Sequence, residues 1–282
     1  MSVINGGVSA LHSLWTGVTG LHAFSKGISI TSDNISNINT YGFKGQRLLF
    51  SDVFADTQAI YNRLAPSQEG EGVRVQDIRT DFTQGAFETT SNPWDLAIDG
   101  NGFFVVKSNP DGPELYTRAG SFDVGRDENG INGVIVNPEG LQLQVDQSGA
   151  IGALNISDSS LKQRFGADFV LAGISVANDG TVTAEARTGR VETLGKVELV
   201  KFHDPEALLP LGGSLFTQSH DSSIPLDVRA EGQIYDHRLE LSNVDLSTQF
   251  TNLIEYQRAF QINNRVVSLS DEILQTIVRL PQ

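Results

Sequence analysis

Histidines are the first residues to consider for chemistry in this sequence, because imidazole both transfers protons near neutral pH and binds metals. The chain has five of them: His12, His22, His203, His220 and His237. None has the H-E-x-x-H spacing that places two imidazoles on one helix face around zinc. Cysteine is absent, which excludes thiolate ligands and thiol nucleophiles. The sequence therefore predicts no catalytic residues and no metal site.

Two other patterns are similar to ligand sites but lack the context that such sites need. Residues 100–102 (Gly-Asn-Gly) precede an apolar run, whereas a phosphate-binding loop follows a strand and opens a helix. A tight turn before a strand is predicted there. Asp123, Asp127 and Asn129 are spaced like calcium ligands, but the terminal glutamate of an EF-hand loop is missing, so a hairpin turn is predicted. We expect no cofactor and no enzymatic activity.

Composition restricts both the fold and the partners. The chain has 282 residues, 28 of them glycine, and a formal net charge of −14. This composition favours a turn-rich β protein over an α/β enzyme. The acidity excludes nucleic acid as a partner, because binding its backbone relies on lysine and arginine. We also expect no membrane insertion and no cleaved signal peptide, since no apolar run is long enough to span a bilayer and residues 1–4 carry no basic residue.

A long helix is predicted near the N-terminus, where apolar residues recur every three or four positions between residues 8 and 38. Its near-heptad seam consists of Leu14, Leu21, Ile28 and Ile35. Glycines at positions 17, 20 and 27 each destabilise such a helix by about 1 kcal/mol relative to alanine. We attribute them to the close approach of another helix in an assembly.

A second long helix is predicted for residues 244–280. Its strict seven-residue repeat consists of Leu246, Leu253, Phe260, Val267 and Leu274. Ser242 and Asn243 are predicted to cap its start, with Asp245 completing an approximate capping box, and Pro281 to end it. The apolar stripes of the two helices indicate that the chain ends pair with each other.

The middle of the chain changes to a period of two, as half-buried strands do, at residues 73–76, 140–145 and 196–200. Residues 178–180 (Asn-Asp-Gly) give a strong hairpin signal. The prediction is an α+β fold, with the terminal helices paired as an elongated coiled-coil-like domain and a mostly antiparallel β middle domain. The predicted domains are residues 1–38 with 243–282, an irregular connector at 39–85, and an outer β domain at 86–242. A mobile or partner-ordered loop is expected at 65–72.

Several stretches resemble the signatures of the bacterial flagellar rod and hook proteins. Residues 32–44 end in Thr-Tyr-Gly-Phe-Lys and are similar to the N-terminal signature, with Ser36 where alanine is common. Residues 95–104 and 116–122 resemble the central motif and its sequel, and residues 241–246 and 256–260 resemble the C-terminal signature. The matches occur in family order at both ends and in the early middle of the chain. The residues matched to the motifs include Asn34, Asn37, Gly42, Phe43, Lys44, Gly102, Phe103, Asn243, Val244, Gln257 and Arg258.

The resemblance implies a structural subunit of the flagellum that polymerises helically with copies of itself around a central export channel. It also implies contacts with neighbouring axial proteins (rod, hook cap and hook–filament junction). Export through the flagellar type III apparatus, outside the cytoplasm, is implied as well. A self-assembly interface is expected on the terminal helices at Leu11, Leu14, Val18, Leu21, Ile28, Ile35, Leu246, Phe250, Leu253, Phe260, Val267, Leu274 and Ile277.

The family contains both hook and rod members, and the motifs point in two directions. Residues 40–44, 50–54 and 82–85 favour a short hook protein that transmits torque to the filament. Residues 257–263, the short chain and the insertion at 58–71 favour the distal rod of the basal body, a straight drive shaft. We expect a hook subunit, with a distal rod subunit as the alternative. A β-rich binding module with helical ends is a remote alternative from another functional class.

Overall fold

The structure, a computed structural model, describes residues 2–54, 70–109, 112–126, 132–147, 150–166, 170–218 and 232–279. The chain divides into two compact units. The helical unit consists of Met1–Ser36, Gly45–Asp81 and Val244–Gln282, and the β unit consists of Asn37–Lys44 and Phe82–Asn243. The expected loop at 65–72 lies mostly outside the described residues, and Pro281 lies outside them as well.

Among its described residues, the helical unit contains two long helices and one hairpin. Helix α1 spans Ser2–Ser36 and helix α3 spans Leu246–Arg279, and they pack against each other. The hairpin consists of β1 (Gln46–Phe54) and β2 (Gly70–Thr80), paired antiparallel with bulges between Leu49 and Phe50 and between Asp52 and Phe54. The helices at both ends are thus confirmed, whereas a coiled coil built on the predicted heptads stays a prediction.

The segment 39–85 is not an irregular connector, because strands β1 and β2 occupy much of it. The long β2 strand has apolar Val73, Val75 and Ile78 between polar residues, and β1 supplies the antiparallel partner. Pairing satisfies the backbone groups that an irregular segment would have to expose to water.

The cap of α3 also differs from the prediction. The helix begins at Leu246, and the carboxylate of Asp245 accepts a hydrogen bond from the backbone N–H of Thr248 at 2.7 Å. Asp245 is therefore the N-cap residue. Asn243 instead donates its side-chain amide to the carbonyl oxygen of Thr83 at 3.1 Å, within the β unit. Ser242 lies four residues before the first helical residue, too far to reach its free N–H groups.

The β unit is built from sixteen short strands among the described residues, together with helix α2 (Asp158–Phe165). The first eight strands are β3 (Phe87–Thr89), β4 (Leu96–Asp99), β5 (Phe103–Lys107), β6 (Leu115–Thr117), β7 (Asp123–Arg126), β8 (Asn132–Val136), β9 (Gln142–Gln147) and β10 (Ala150–Ala153). The others are β11 (Leu171–Val176), β12 (Thr181–Ala186), β13 (Val191–Val197), β14 (Leu199–Val200), β15 (Leu209–Gly212), β16 (Leu215–Thr217), β17 (Gln233–Asp236) and β18 (Arg238–Glu240).

Twelve of these strands join into one sheet, with the order β11-β12-β13-β9-β5-β6-β16-β15 along its main path. Strands β17 and β4 form a separate pair, as do β18 and β3. Every pairing between the described strands of the β unit is antiparallel, which confirms the antiparallel β middle. The hairpin predicted at residues 178–180 is confirmed, since β11 and β12 pair on either side of it.

The apolar run after residues 100–102 forms strand β5, which is buried on both faces. Phe104 and Val106 contribute to the larger hydrophobic core, while Phe103 and Val105 contribute to a second cluster with Phe202. Both faces of the strand are covered, and such strands are apolar throughout rather than alternating. The strand predicted after residues 100–102 is confirmed, and the chain bends at Gly100 and Asn101 before it.

The described ranges also bear on membrane insertion and on metal binding. None of the helices there is long and apolar enough to cross a membrane. Nor do the same ranges contain a group of three or more histidine, aspartate or glutamate side chains placed to hold a metal ion.

Candidate assembly surface and buried ionic junction

Small residues bring α1 and α3 together. A side-chain carbon added at Gly17 would lie 2.9 Å from a methyl group of Val267, and one at Gly20 would lie 2.9 Å from the amide of Asn263. At Gly27 it would meet the ring of Tyr256 at 3.0 Å. The glycines are therefore explained by close helix–helix contact, and this contact occurs within a single chain.

The signature residue Asn34 connects three elements of the helical unit. Its side-chain amide donates to the carbonyl oxygen of Gln46 in β1 at 2.7 Å and to Oε1 of Gln249 in α3 at 3.2 Å. Its side-chain oxygen accepts from the backbone N–H of Gln46 at 2.9 Å. Asn34 is only 1% exposed, so these bonds form where water does not compete. Asn34 of the N-terminal signature therefore links α1, β1 and α3.

An aromatic cluster extends this contact from the helices to the hairpin. The rings of Phe24 in α1 and Phe50 in β1 have centroids 5.7 Å apart, and Tyr256 in α3 lies 6.3 and 6.1 Å from them. These separations are typical of favourable aromatic pairs. Burial raises the pKa of the Tyr256 hydroxyl, so it stays protonated over the physiological range.

The predicted self-assembly residues divide into two groups by exposure. Leu11, Leu246 and Phe250 are 58%, 40% and 47% exposed. The others are half-buried in the single chain: Leu14, Val18, Leu21, Ile28, Ile35, Leu253, Phe260, Val267, Leu274 and Ile277. Their role in assembly stays a prediction.

Further apolar side chains on the helices are exposed in the same way. They are Trp15, Ile254, Ile262, Leu269, Ile273 and Val278, with exposed fractions from 44% to 83%. Together with Leu11, Leu246 and Phe250 they form what we call the exposed apolar set. Isolated exposed apolar residues are ordinary, but a repeated set along two paired helices is typical of a surface that another chain covers.

The β unit contains a buried ionic junction of Lys44, Arg118 and Glu240. The Lys44 ammonium donates to Oε1 of Glu240 at 2.7 Å and to the carbonyl oxygen of Thr83 at 2.7 Å. Arg118 Nη1 lies 3.5 Å from Oε2 of Glu240. The side chains of Lys44 and Glu240 are fully buried and that of Arg118 is 3% exposed. Charges this far from water are tolerated only when they are paired and hydrogen-bonded.

Backbone groups add hydrogen bonds on both sides of the junction, although Nε of Arg118 and Oε2 of Glu240 have no hydrogen-bond partner among the described residues. The backbone N–H of Gly85 donates to Oε1 of Glu240 at 2.9 Å. Arg118 Nη2 donates to the carbonyl oxygen of Gly100 at 2.7 Å, and its guanidinium lies 5.4 Å from the ring centroid of Phe103. Burial lowers the pKa of Arg118, while the neighbouring Glu240 acts in the opposite direction.

Gly42 places Lys44 in the junction. It has a φ of +65°, which side chains disfavour, and its N–H donates to the carbonyl oxygen of Glu240 at 2.8 Å. A side-chain carbon at this position would collide with the backbone of Arg118 and Ala119. The Gly-Phe-Lys of the N-terminal signature therefore consists of a required glycine and a buried cation, with half-buried Phe43 between them.

The junction unites three stretches that resembled family motifs separately. Lys44 comes from the N-terminal signature, Arg118 from the central sequel, and Glu240 lies one residue before the C-terminal signature.

The other motif residues lie in different surroundings. Gly102 and Phe103 are buried beside Arg118, whereas Gln257 and Arg258 are exposed on α3. We did not identify Glu240 as a functional residue from the sequence. The one local feature that could have indicated its burial is that its carboxylate is flanked by Leu239 and Leu241.

Tyr41 and Asn37 occupy the turn before this junction. The Tyr41 hydroxyl donates to Oε2 of Glu88 at 3.1 Å, and this bond to a carboxylate raises the pKa of the tyrosine. The carbonyl oxygen of Asn37 accepts from the backbone N–H of Thr40 at 3.1 Å. These contacts support a structural role for the segment.

Three family models match the chain in sequence order. "Flagella basal body rod protein" matches residues 14–44, "Flagellar hook protein FlgE/F/G D1 domain" matches 97–184, and "Flagellar basal body rod FlgEFG protein C-terminal" matches 236–280. The matches cover α1 from residue 14 with the N-terminal signature, much of the β unit, and the end of the β unit with α3.

Relatives extend this similarity over 95% of the chain. The flagellar basal-body rod protein FlgG of Buchnera aphidicola from Acyrthosiphon pisum is 33% identical over 95% of the chain and 99% of its own length. The protein of the same name from the Schizaphis graminum strain is 31% identical, again over 95% and 99%. The flagellar hook protein FlgE of Borreliella burgdorferi is 38% identical, but over 48% of the chain and 30% of its own length.

Proposed function

The chain belongs to the family of flagellar hook and basal-body rod proteins, and from this membership we propose that it is a structural subunit of the distal rod. One observation carries the choice of rod over hook. Similarity to rod proteins covers 95% of the chain and 99% of those relatives, whereas similarity to a hook protein covers 30% of that relative. The relatives thus favour the distal rod, our alternative from the sequence, over the hook that we expected first.

The distal rod assignment implies a polymer of many copies of this chain. A head-to-tail contact that does not close into a ring produces a helical polymer, and such a polymer transmits torque through many repeated contacts. The exposed apolar set on α1 and α3 supports this proposal, because copies of the chain would remove it from water. Neighbouring axial proteins are the other partners that we propose.

Location and export follow from the same assignment. We place the protein in the flagellar basal body, reached through the flagellar type III apparatus without a cleaved signal peptide. The lack of cysteine is compatible with export as an unfolded chain, because no disulfide has to form or break on the way.

Deletion of the gene, followed by electron microscopy of isolated basal bodies, tests this proposal. We expect basal bodies with a shortened rod and no hook, restored by the wild-type gene. A complete rod that lacks only the curved hook would overturn the distal rod assignment in favour of the hook. A normal rod and hook in the deletion strain would overturn both.

A further inference from the structure

A small cavity in the β unit combines aromatic walls with basic side chains. Its volume is about 160 Å³, and its lining includes Phe82, Phe103, Phe202, Arg118, Lys201 and His203. We call it the phenylalanine pocket. Small-molecule and cofactor sites usually measure about 300–1,000 Å³, so this pocket is too small for most of them and is better matched to a single side chain.

Arg118 gives the pocket an unmet hydrogen-bonding need. The residue is 2% exposed, its Nη2 donates to Gly100, and its Nη1 faces Ile98 and Glu240. Within the part of the chain that the structure describes, its Nε has no hydrogen-bond partner. A buried guanidinium N–H without an acceptor is unfavourable, and a ligand oxygen would relieve it.

The basic side chains among the other lining groups favour an anion as the ligand. Lys201 and His203 are exposed, so they supply basic groups at the mouth of the pocket. The adjacent carboxylate of Asp204 already accepts the backbone N–H of Glu206 at 3.2 Å, as the cap of the short 3₁₀ turn that follows. The three phenylalanine rings make the walls of the pocket apolar, and a less polar environment strengthens a charge-assisted hydrogen bond formed there.

We propose that the phenylalanine pocket binds the carboxylate of an aspartate or glutamate side chain from a second copy of this chain. This inference rests on the proposed function, because it needs copies to meet. Charge complementarity selects that occupant: the chain has 34 acidic and 20 basic residues, so a basic pocket on one copy faces mostly acidic surface on the next. The two oxygens of a carboxylate match the planar donors of arginine.

The carboxylate chemistry is tested on the single chain by NMR. Sodium acetate is added to the purified protein while the Nε–H resonance of Arg118 is followed. We expect a saturable shift with acetate and none with sodium chloride at the same ionic strength. Identical responses to both salts would mean that the pocket holds solvent only, and would overturn the proposal.

The identity of the occupant is tested by assembly. Lys201→Glu should raise the protein concentration needed for sedimentable polymer by about tenfold, because a like charge then meets the incoming carboxylate. Lys162→Glu, an exposed charge reversal on α2, is the matched control and should leave that concentration unchanged. Circular dichroism verifies that both variants are folded.

The outcomes separate this inference from the proposed function. If wild type and Lys201→Glu assemble alike, the pocket does not receive a second copy. If the wild-type chain never sediments, the proposed polymer is contradicted, and the acetate titration still decides whether the pocket binds a carboxylate.

Discussion

Lys44 and Glu240 are 196 positions apart in the chain, yet their side chains form a 2.7 Å ion pair with no exposure to water. Both residues belong to the β unit, so this pair closes that unit by joining its first and last segments. Burying one charge without the other is far less favourable than burying the pair. The segment that carries Lys44 therefore helps to hold the last strand, β18, in the β unit.

Replacing Lys44 should destabilise the β unit strongly. Lys44→Met leaves Glu240 buried with a weakened set of partners, and losses of about 3–5 kcal/mol are typical when one member of a buried pair is removed. Urea unfolding monitored on the β unit measures the change. Adding Glu240→Leu to Lys44→Met should not recover the loss, because Arg118 then stays buried without its carboxylate partner.

A surface ion pair provides the control for this prediction. Lys107 and Glu114 lie 3.0 Å apart with 17% and 48% of their side chains exposed. Lys107→Met should cost less than about 1 kcal/mol, as exposed pairs usually do. Equal effects of Lys107→Met and Lys44→Met would contradict the importance of burial.

Replacing Gly42 with alanine should destabilise the protein more than the same replacement at Gly140, another glycine of positive φ. In Gly42→Ala the new methyl group meets the backbone of Arg118 and Ala119, which cannot move like a flexible side chain. Gly140→Ala is the matched control, since Gly140 has a φ of +82° but open space around it. The control should lose about 1–2 kcal/mol from the φ strain alone, and Gly42→Ala distinctly more. Thermal unfolding compares the two, and equal losses would rule out the steric explanation.

The sequence identified the two long helices and the hairpin at residues 178–180, because each depends on a local pattern. It did not identify where α1 and α3 meet. Heptad reasoning emphasises large apolar residues such as Leu14 and Leu21, which are half-buried, whereas the closest contacts occur at Gly17, Gly20 and Gly27. We expected those glycines to lie at a close helix–helix contact, and they do. We expected that contact in the assembly, whereas the structure has it within the single chain.

The buried ionic junction could not be predicted from the sequence for a different reason. Lys44 and Arg118 were part of recognised motifs, but nothing local indicates that they share the carboxylate of Glu240. Which distant residues pair depends on how the strands are arranged in space. A local pattern of apolar and polar residues predicts single elements but not this arrangement. The β1–β2 hairpin was missed because its two strands are separated by residues 55–69, longer than the two to five residues that give a recognisable hairpin signal.

The cap of α3 should depend on pH. The hydrogen bond from Thr248 holds the pKa of Asp245 below its ordinary value. A carboxyl with a lowered folded-state pKa contributes stability above its unfolded value of about 3.9 and loses that stability as the pH falls through the folded value. The first turn of α3 should therefore fray in acid, seen as faster amide exchange at Thr248.

Asp245→Asn separates the charge from the hydrogen bond in this cap. Asparagine keeps an acceptor oxygen for the N–H of Thr248 but does not titrate, so the first turn should persist and its acid response should disappear. If the variant showed the same acid response as the wild-type chain, another group would have to be responsible.

Gly27 should be intolerant of a branched side chain because the ring of Tyr256 lies against it. In Gly27→Val the ring has to leave its positions beside Phe24 and Phe50. Overpacking of this kind costs about 1–3 kcal/mol, and hydrogen exchange in α1 should accelerate. Lys26→Val introduces the same side chain at the neighbouring exposed position and should leave the exchange of α1 nearly unchanged. Similar acceleration in both variants would point to helix propensity rather than packing.

Phe250 tests whether the exposed apolar set is the surface that assembles. The side chain is 47% exposed in the single chain, so about half of its burial energy is already present there, and Phe250→Asp should lower the free energy of unfolding by about 1 kcal/mol. Assembly can bury only the remaining half, worth about 0.7–1.4 kcal/mol, so the concentration needed for sedimentable polymer should rise by about three- to tenfold. The control is Thr251→Asp, the same acidic replacement at the adjacent exposed polar residue, which should assemble nearly like wild type. Normal assembly of Phe250→Asp would remove this part of α3 from the polymer interface.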